Sequence, residues 1–171
     1  TTVWTVSGVA YNNSDFSGLA FSADGKRMVA AFNSAGLYWL DIPKKGDKEL
    51  HFEPIDVPGA KFREVKRDCE CVTLDDKGNI YYGQERDGAF KGASLYRVNA
   101  PNYDKEDLVV TFDKETIPDG NNGIEGLTWI GDDNFIVGRE GGGMKRIKPM
   151  MIFYSLSKGI TDKIVPPEEI K

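Results

Sequence analysis

Glu70 and Glu85 stand fifteen residues apart, and Glu125 and Glu140 repeat that separation. Each interval is centred on a polar turn, Asp75-Asp76-Lys77-Gly78 or Gly131-Asp132-Asp133-Asn134. In an antiparallel hairpin, residues equidistant from the turn lie side by side, so the spacing predicts two carboxylate pairs at the open ends of two hairpins. Ser17 and Asn33 take the matching places of an earlier hairpin, allowing for one inserted residue. Like charges directly opposite one another destabilise a sheet, and the pairs therefore call for a compensating partner. A hard divalent cation, calcium or magnesium, is the simplest: carboxylates, the amide oxygen of Asn33 and backbone carbonyls all suit it. A salt-bridge network is a second reading, since Arg86 follows Glu85 and Arg139 precedes Glu140. Acid–base work is a third, because close carboxylates drive their pKa values apart. The plainest reading has the glutamates accepting backbone N–H groups at the rim of the fold.

Other chemistry has less support. Gly141-Gly142-Gly143 precedes Met144-Lys145-Arg146-Ile147-Lys148, but the stretch lacks the Gly-Lys-Ser/Thr ending of a P-loop and the helix that should follow one. It reads as a connection carrying a solvated basic patch, with an anionic ligand near a metal as the sharper alternative. Asn121-Asn122-Gly123 reads as a turn that delivers Glu125. Cys69 and Cys71 stand two apart on a predicted strand, which puts both on one face with no loop to bridge them, and a zinc site would need more ligands. They read as buried free thiols. His51, the single histidine, lies in the alternation Glu49-Leu50-His51-Phe52-Glu53 and reads as a solvent-facing strand residue with no Ser-His-Asp partners.

Twenty-two basic against 27 acidic side chains give a net charge of −5, which argues against a nucleic-acid surface and favours cations or neutral ligands as partners. No apolar run approaches the ~20 residues that cross a bilayer as a helix, so no membrane span is predicted.

The elements that must carry these residues repeat three times. Phe16 to Phe21, Cys69 to Leu74 and Ile124 to Trp129 align; a polar turn and a second apolar run follow each, Met28 to Phe32, Ile80 to Gly83 and Phe135 to Gly138. A third strand recurs as Leu37 to Asp41, Leu95 to Asn99 and Phe153 to Ser157, and a fourth as Glu49 to Val57, Leu108 to Phe112 and, faintly, Ile160 to Val165. Short strands rich in β-branched and aromatic residues between Gly, Asn and Asp turns predict an all-β chain. Four antiparallel strands per repeat of about 55 residues predict β-propeller blades rather than a β-sandwich, which seldom repeats one hairpin three times. The 171 residues then form a single unit of three four-stranded blades, at approximately 14–66, 67–120 and 121–171. Trp39, Trp129 and the tyrosines are expected to pack between blades.

Propellers close with typically four to eight blades, so three leave both end faces open. Two completions are expected: a homodimer closing a six-bladed ring, or a longer protein of which this is a piece. The strand Val3 to Val6 precedes the first repeat, and the weak fourth strand of the last repeat suggests exchange, with the first strand of one copy completing the last blade of another.

Asp68-Cys69-Glu70-Cys71-Val72-Thr73, Gly83-Gln84-Glu85-Arg86 and Asn122-Gly123-Ile124-Glu125-Gly126-Leu127-Thr128 resemble motifs of the SdiA-regulated (YjiK-like) propellers. Ser17-Gly18-Leu19-Ala20 is similar to the hairpin of the esterase-like phytase-domain propellers. The resemblance implies a six-bladed propeller, periplasmic or extracellular and in some members lipid-anchored, with a calcium site at one end of its axis. Cys71 departs from the family pattern, in which glycine follows the glutamate, and the chain has about half the expected length. The expectation is an exported binding module: Glu70, Glu85, Glu125, Glu140 and Asn33, with Ser17 in a lesser part, hold a divalent cation, and Arg86, Arg139 and Lys145 hold a small anionic ligand. The alternatives are a metal-dependent phosphoester or ester hydrolase and a scaffold that recruits a protein or glycan.

Overall fold

A computed structural model describes residues 4–9, 15–33, 35–61, 69–84, 92–118, 123–141 and 147–167. The chain is all β, with no α-helix among these residues. A short strand β1 (Thr5–Ser7) precedes three hairpin-built sheets. The first holds β2 (Phe16–Phe21), β3 (Arg27–Phe32), β4 (Gly36–Asp41) and β5 (Glu49–Pro54). The second holds β6 (Cys69–Leu74), β7 (Ile80–Gln84), β8 (Ser94–Val98) and β9 (Glu106–Thr111), and the third β10 (Ile124–Gly131), β11 (Asn134–Arg139), β12 (Met150–Ser155) and β13 (Gly159–Ile164). Strands follow in chain order as antiparallel neighbours within each sheet, and β6, the first strand of the middle sheet, packs against β2 on one side and β10 on the other.

Turn chemistry sets the hairpins. Asp132 and Asp133 both adopt positive φ, 48° and 61°, between the paired residues Gly131 and Asn134. A two-residue turn of that hand matches the twist of the strands it joins, and aspartate tolerates the left-handed region better than most side chains. In the second sheet Asp75 organises the turn itself: its carboxylate accepts from the N–H groups of Lys77 and Asn79 at 2.9 and 2.8 Å and from Asn79 Nδ2 at 2.8 Å.

Two expectations are corrected. β1 is not left over to complete a last sheet. It lies parallel on β5 of its own sheet, with Thr5 opposite Glu49 and Ser7 opposite His51, and the last sheet has a full fourth strand, β13. Gly8 makes that crossing possible: at φ +83° a Cβ there would stand 1.9 Å from the Phe52 carbonyl oxygen. The third strand of the third repeat runs from Met150 to Ser155, not Phe153 to Ser157, so Met151, not Phe153, is the counterpart of Leu37 and Leu95.

Apolar side chains fill the spaces between sheets. Val29, Ala31, Leu37 and Trp39 of the first sheet meet Cys69, Val72, Ile80 and Tyr82 of the second. Cys71, Tyr81 and Leu95 of the second meet Ile124, Phe135, Val137 and Ile152 of the third. Trp39 is buried in the first of these cores, and Trp129 stacks on Tyr81, so both act in packing.

The outer half of the second sheet carries a charged network. Asp107 accepts from Arg97 at 3.0 Å and from Asn99 at 2.8 Å, and pairs with Lys105 at 2.9 Å. Lys105 first, then Asn99 and Arg97, hold its carboxyl well below the usual carboxylate range. A carboxyl depressed in the folded state stabilises it above the unfolded pKa of about 4, and the contribution drains away as pH falls from there toward the folded value. Acid titration of the melting temperature should therefore show a loss below about pH 4 that Asp107→Asn makes shallower. An unchanged acid limb would refute the assignment.

Candidate functional site

The three first strands share one irregularity. In β2–β3 the register slips between Phe16↔Phe32 and Gly18↔Ala31, in β6–β7 between Cys69↔Gln84 and Cys71↔Gly83, and in β10–β11 between Ile124↔Arg139 and Gly126↔Gly138. The extra residues are Ser17, Glu70 and Glu125. A bulge breaks the ladder locally and re-aims the side chain it carries. Here it does so at the same place in three adjacent strands, at the end of each hairpin remote from its turn.

Those bulges tie neighbouring sheets together. Asn33, just past β3, donates through Nδ2 to Glu70 Oε1 at 2.8 Å, a bond from the first sheet to the second. The Asn33 N–H is shared between the Asp15 carbonyl at 2.8 Å and Ser17 Oγ at 3.2 Å, and Ser17 Oγ itself donates to the Asp15 carbonyl at 3.2 Å. Ser17, Asn33 and Glu70 thus form one continuous polar chain across two sheets. Glu70 and Asn33 are half-buried, while Glu125 and Glu140 are exposed.

The predicted face-to-face glutamate pair is not what the register gives. Glu140 sits opposite Gly123, its N–H reaching that carbonyl at 3.3 Å as Asn33 reaches Asp15, and Glu125 occupies the bulge. Counting fifteen residues about a turn assumes an unbroken ladder, and β10–β11 is shifted twice, between Trp129 and Gly131 and again at Glu125, so the symmetry is lost. The offset also spares the sheet the cost of directly opposed carboxylates. The same bulge corrects the cysteines: with Glu70 inserted, Cys69 and Cys71 do not share a face, and each enters a different core. Both are free and buried, and burial pushes both thiols up, which makes them poor nucleophiles and poor metal ligands.

Arg139 is buried, and its guanidinium is committed to backbone. Nη1 donates to the Thr116 carbonyl at 2.6 Å and Nη2 to the Lys148 carbonyl. It pairs with no carboxylate among the described residues, so the expected neutralisation of Glu140 is absent there. Its repeat counterpart Gln84 is fully buried. Glu85, Arg86 and Lys145 lie outside the described residues, as do Asp68, Asn121 and Asn122. Among the described residues no three of histidine, cysteine, aspartate and glutamate gather as a metal-holding group.

One cluster escaped the sequence. Ser7 Oγ donates to Glu49 Oε1 at 2.6 Å and meets His51 Nδ1 at 2.9 Å on the exposed outer edge of the first sheet. With its only proton given to Glu49, the serine oxygen accepts from the His51 N–H. The serine stands between acid and base, whereas a nucleophile relay puts the histidine there. This arrangement fastens β1 to β5. Its single advance signal is the exposed alternation around His51, because Ser7 reaches it only through a parallel pairing across more than 40 residues.

Compared with known proteins, the chain matches no family model and no curated protein.

Proposed function

We propose that this chain is an arc of a β-propeller, exported to the periplasm or outside the cell, that works as a binding module for a divalent cation. Calcium is the ion of choice. Glu70, Glu125, Glu140 and Asn33 would hold it at the bulged ends of the inner strands, together with Glu85, the repeat counterpart of Asn33 and Glu140. A small anionic ligand would bind through the ion, with Arg86 and Lys145 as the cations left to meet it once Arg139 is spent on carbonyls.

The observation that carries this reading is the triple bulge. Three unrelated slips would have no reason to fall at one repeat position, and two of the three residues they re-aim are glutamates. Bulges of this kind mark functional rims of sheets. The donor set fits the ion: carboxylate and amide oxygens without sulfur or imidazole select hard cations. Asn33 already donates through its nitrogen to Glu70, so its oxygen is the atom it would offer a cation. The resemblance to the SdiA-regulated propellers points the same way.

Calorimetric titration with calcium tests the reading. The wild-type chain should bind with measurable heat, and a ligand at a hundred times its Kd raises stability by about 2.7 kcal/mol. Glu70→Gln and Glu125→Gln keep shape and remove charge; each should weaken binding at least about tenfold, equivalent to ~1.4 kcal/mol. No heat and no thermal shift with the wild-type chain would sink the proposal.

A further inference from the structure

Every sheet presents two faces, and the register shows that the packed ones are the same junction used twice. Met28, Ile80 and Phe135 hold one position in their respective sheets; Ala30, Tyr82 and Val137 hold a second, and Tyr38, Tyr96 and Ile152 a third. Call the face that carries these positions the rear face. The rear face of the second sheet packs on the front face of the first, and the rear face of the third packs on the front face of the second.

One rear and one front face remain. The rear face of the first sheet gathers Met28, Ala30, Phe32, Tyr38, Leu40 and Phe52 into a buried apolar cluster on which Val6, Val9, Ile42 and Leu50 pack, with no other sheet among the described residues upon it. Across β2, Phe16, Leu19 and Phe21 stand on that face 55%, 44% and 62% exposed, and the groove that Phe16 and Leu19 line with Val6, Met28, Leu50 and Phe52 has a volume of about 380 Å³. The front face of the third sheet carries Met151, the counterpart of Leu37, at 40% exposed, with Ile164 opposite it on β13 at 42%. Contiguous exposed apolar faces of this kind mark association surfaces.

We propose that a second copy of this chain covers both, the third sheet of each copy packing on the first sheet of the other. These faces continue the interfaces already formed: a rear face and a front face without a sheet upon them are the two halves of a junction that the molecule builds twice within itself. Head-to-tail junctions either close or propagate. Two copies related by a two-fold axis form two such junctions at once, giving a ring of six sheets with no face left over. The inference rests on the propeller reading of the sheets and is independent of the cation.

Sedimentation or light-scattering mass across a concentration series tests it, with and without EDTA. The wild-type chain should give twice 19.0 kDa in both conditions. Leu19→Glu blocks the rear face and Met151→Glu the front face, each at an exposed position; far-UV circular dichroism should remain that of the wild type. Each variant alone should be monomeric, because both of its junctions contain a damaged half. Their equimolar mixture should recover a dimer, because one junction then joins two intact halves. A wild-type monomer at every concentration overturns the proposal. So does a mass that keeps rising beyond two copies, which is an open ladder, and so does a Met151→Glu dimer beside a Leu19→Glu monomer, which means the rear face packs on itself. Loss of the dimer in EDTA would instead make the ion part of the junction and overturn the stated independence, while absence of calcium binding leaves the mass prediction intact.

Discussion

Replacing Phe135 with alanine should cost about 3–5 kcal/mol, the range for deleting a fully buried aromatic ring. Phe135 is completely buried between the second and third sheets, 4.7 Å from the Tyr81 ring and 4.9 Å from Trp129, both edge to face. The surrounding Ile152 and Tyr154 are held by their own strands, so the site has little freedom to collapse into the void. Phe21 supplies the contrast. It lies on the open face of the first sheet, 62% exposed, and in a monomeric chain Phe21→Ala should change stability by no more than about 0.5 kcal/mol. Denaturant titration of both variants, made in the Leu19→Glu background so that association does not mask the comparison, reads the difference directly. Equal costs would mean that the second and third sheets do not pack as described.

The inner hairpins were legible because everything that defines them is local. β2 and β6 begin and end where the sequence places them, at Phe16–Phe21 and Cys69–Leu74, since an apolar run followed by an Asp-Gly or Asp-Lys-Gly turn fixes both strand and reversal. The third strand of the last repeat was misplaced by about two residues. There the apolar run Met150 to Leu156 continues past the strand's end at Ser155, and no strong turn residue precedes Gly159 to mark the boundary. The bulges were invisible for a different reason. An inserted residue leaves no trace in composition or hydrophobic period, yet it shifts every partner beyond it, which is why the glutamate pairing and the shared face of the cysteines both failed. β1 on β5 is a parallel contact between distant segments, and nothing near Thr5 encodes it. The buried role of Arg139 was equally hidden, because the carbonyls of Thr116 and Lys148 that it serves are backbone groups with no signature in sequence.

Gly83→Ala should destabilise the protein by about 1–3 kcal/mol, against the gain of roughly 0.5–1 kcal/mol that removing a strand glycine ordinarily brings. A Cβ at position 83 would stand 2.6 Å from Cys71 Sγ and 2.7 and 2.9 Å from Ile124 Cγ2 and Cβ, closer than non-bonded atoms approach. Cys71 and Gly83 face one another across the second hairpin where the third has Gly126 and Gly138. The thiol of Cys71, where the third hairpin has Gly126, is therefore accommodated by a missing side chain opposite it, and Gly83 also lets the third sheet come close. Gly126→Ala tests the same space from the other repeat. Its Cβ would meet Gly138 Cα at an ordinary 3.8 Å, so it should be neutral or mildly stabilising. Adding Cys71→Gly to Gly83→Ala removes the sulfur contact and leaves the Ile124 contact, so it should restore part of the loss and not all of it. Because Glu70 is the bulged residue beside Cys71, a shift forced at this pair should also disturb its bond from Asn33, and under the proposed function calcium affinity should fall together with the melting temperature. A Gly83→Ala variant that melts higher than the wild type would show that the second and third sheets are not in close approach at this point.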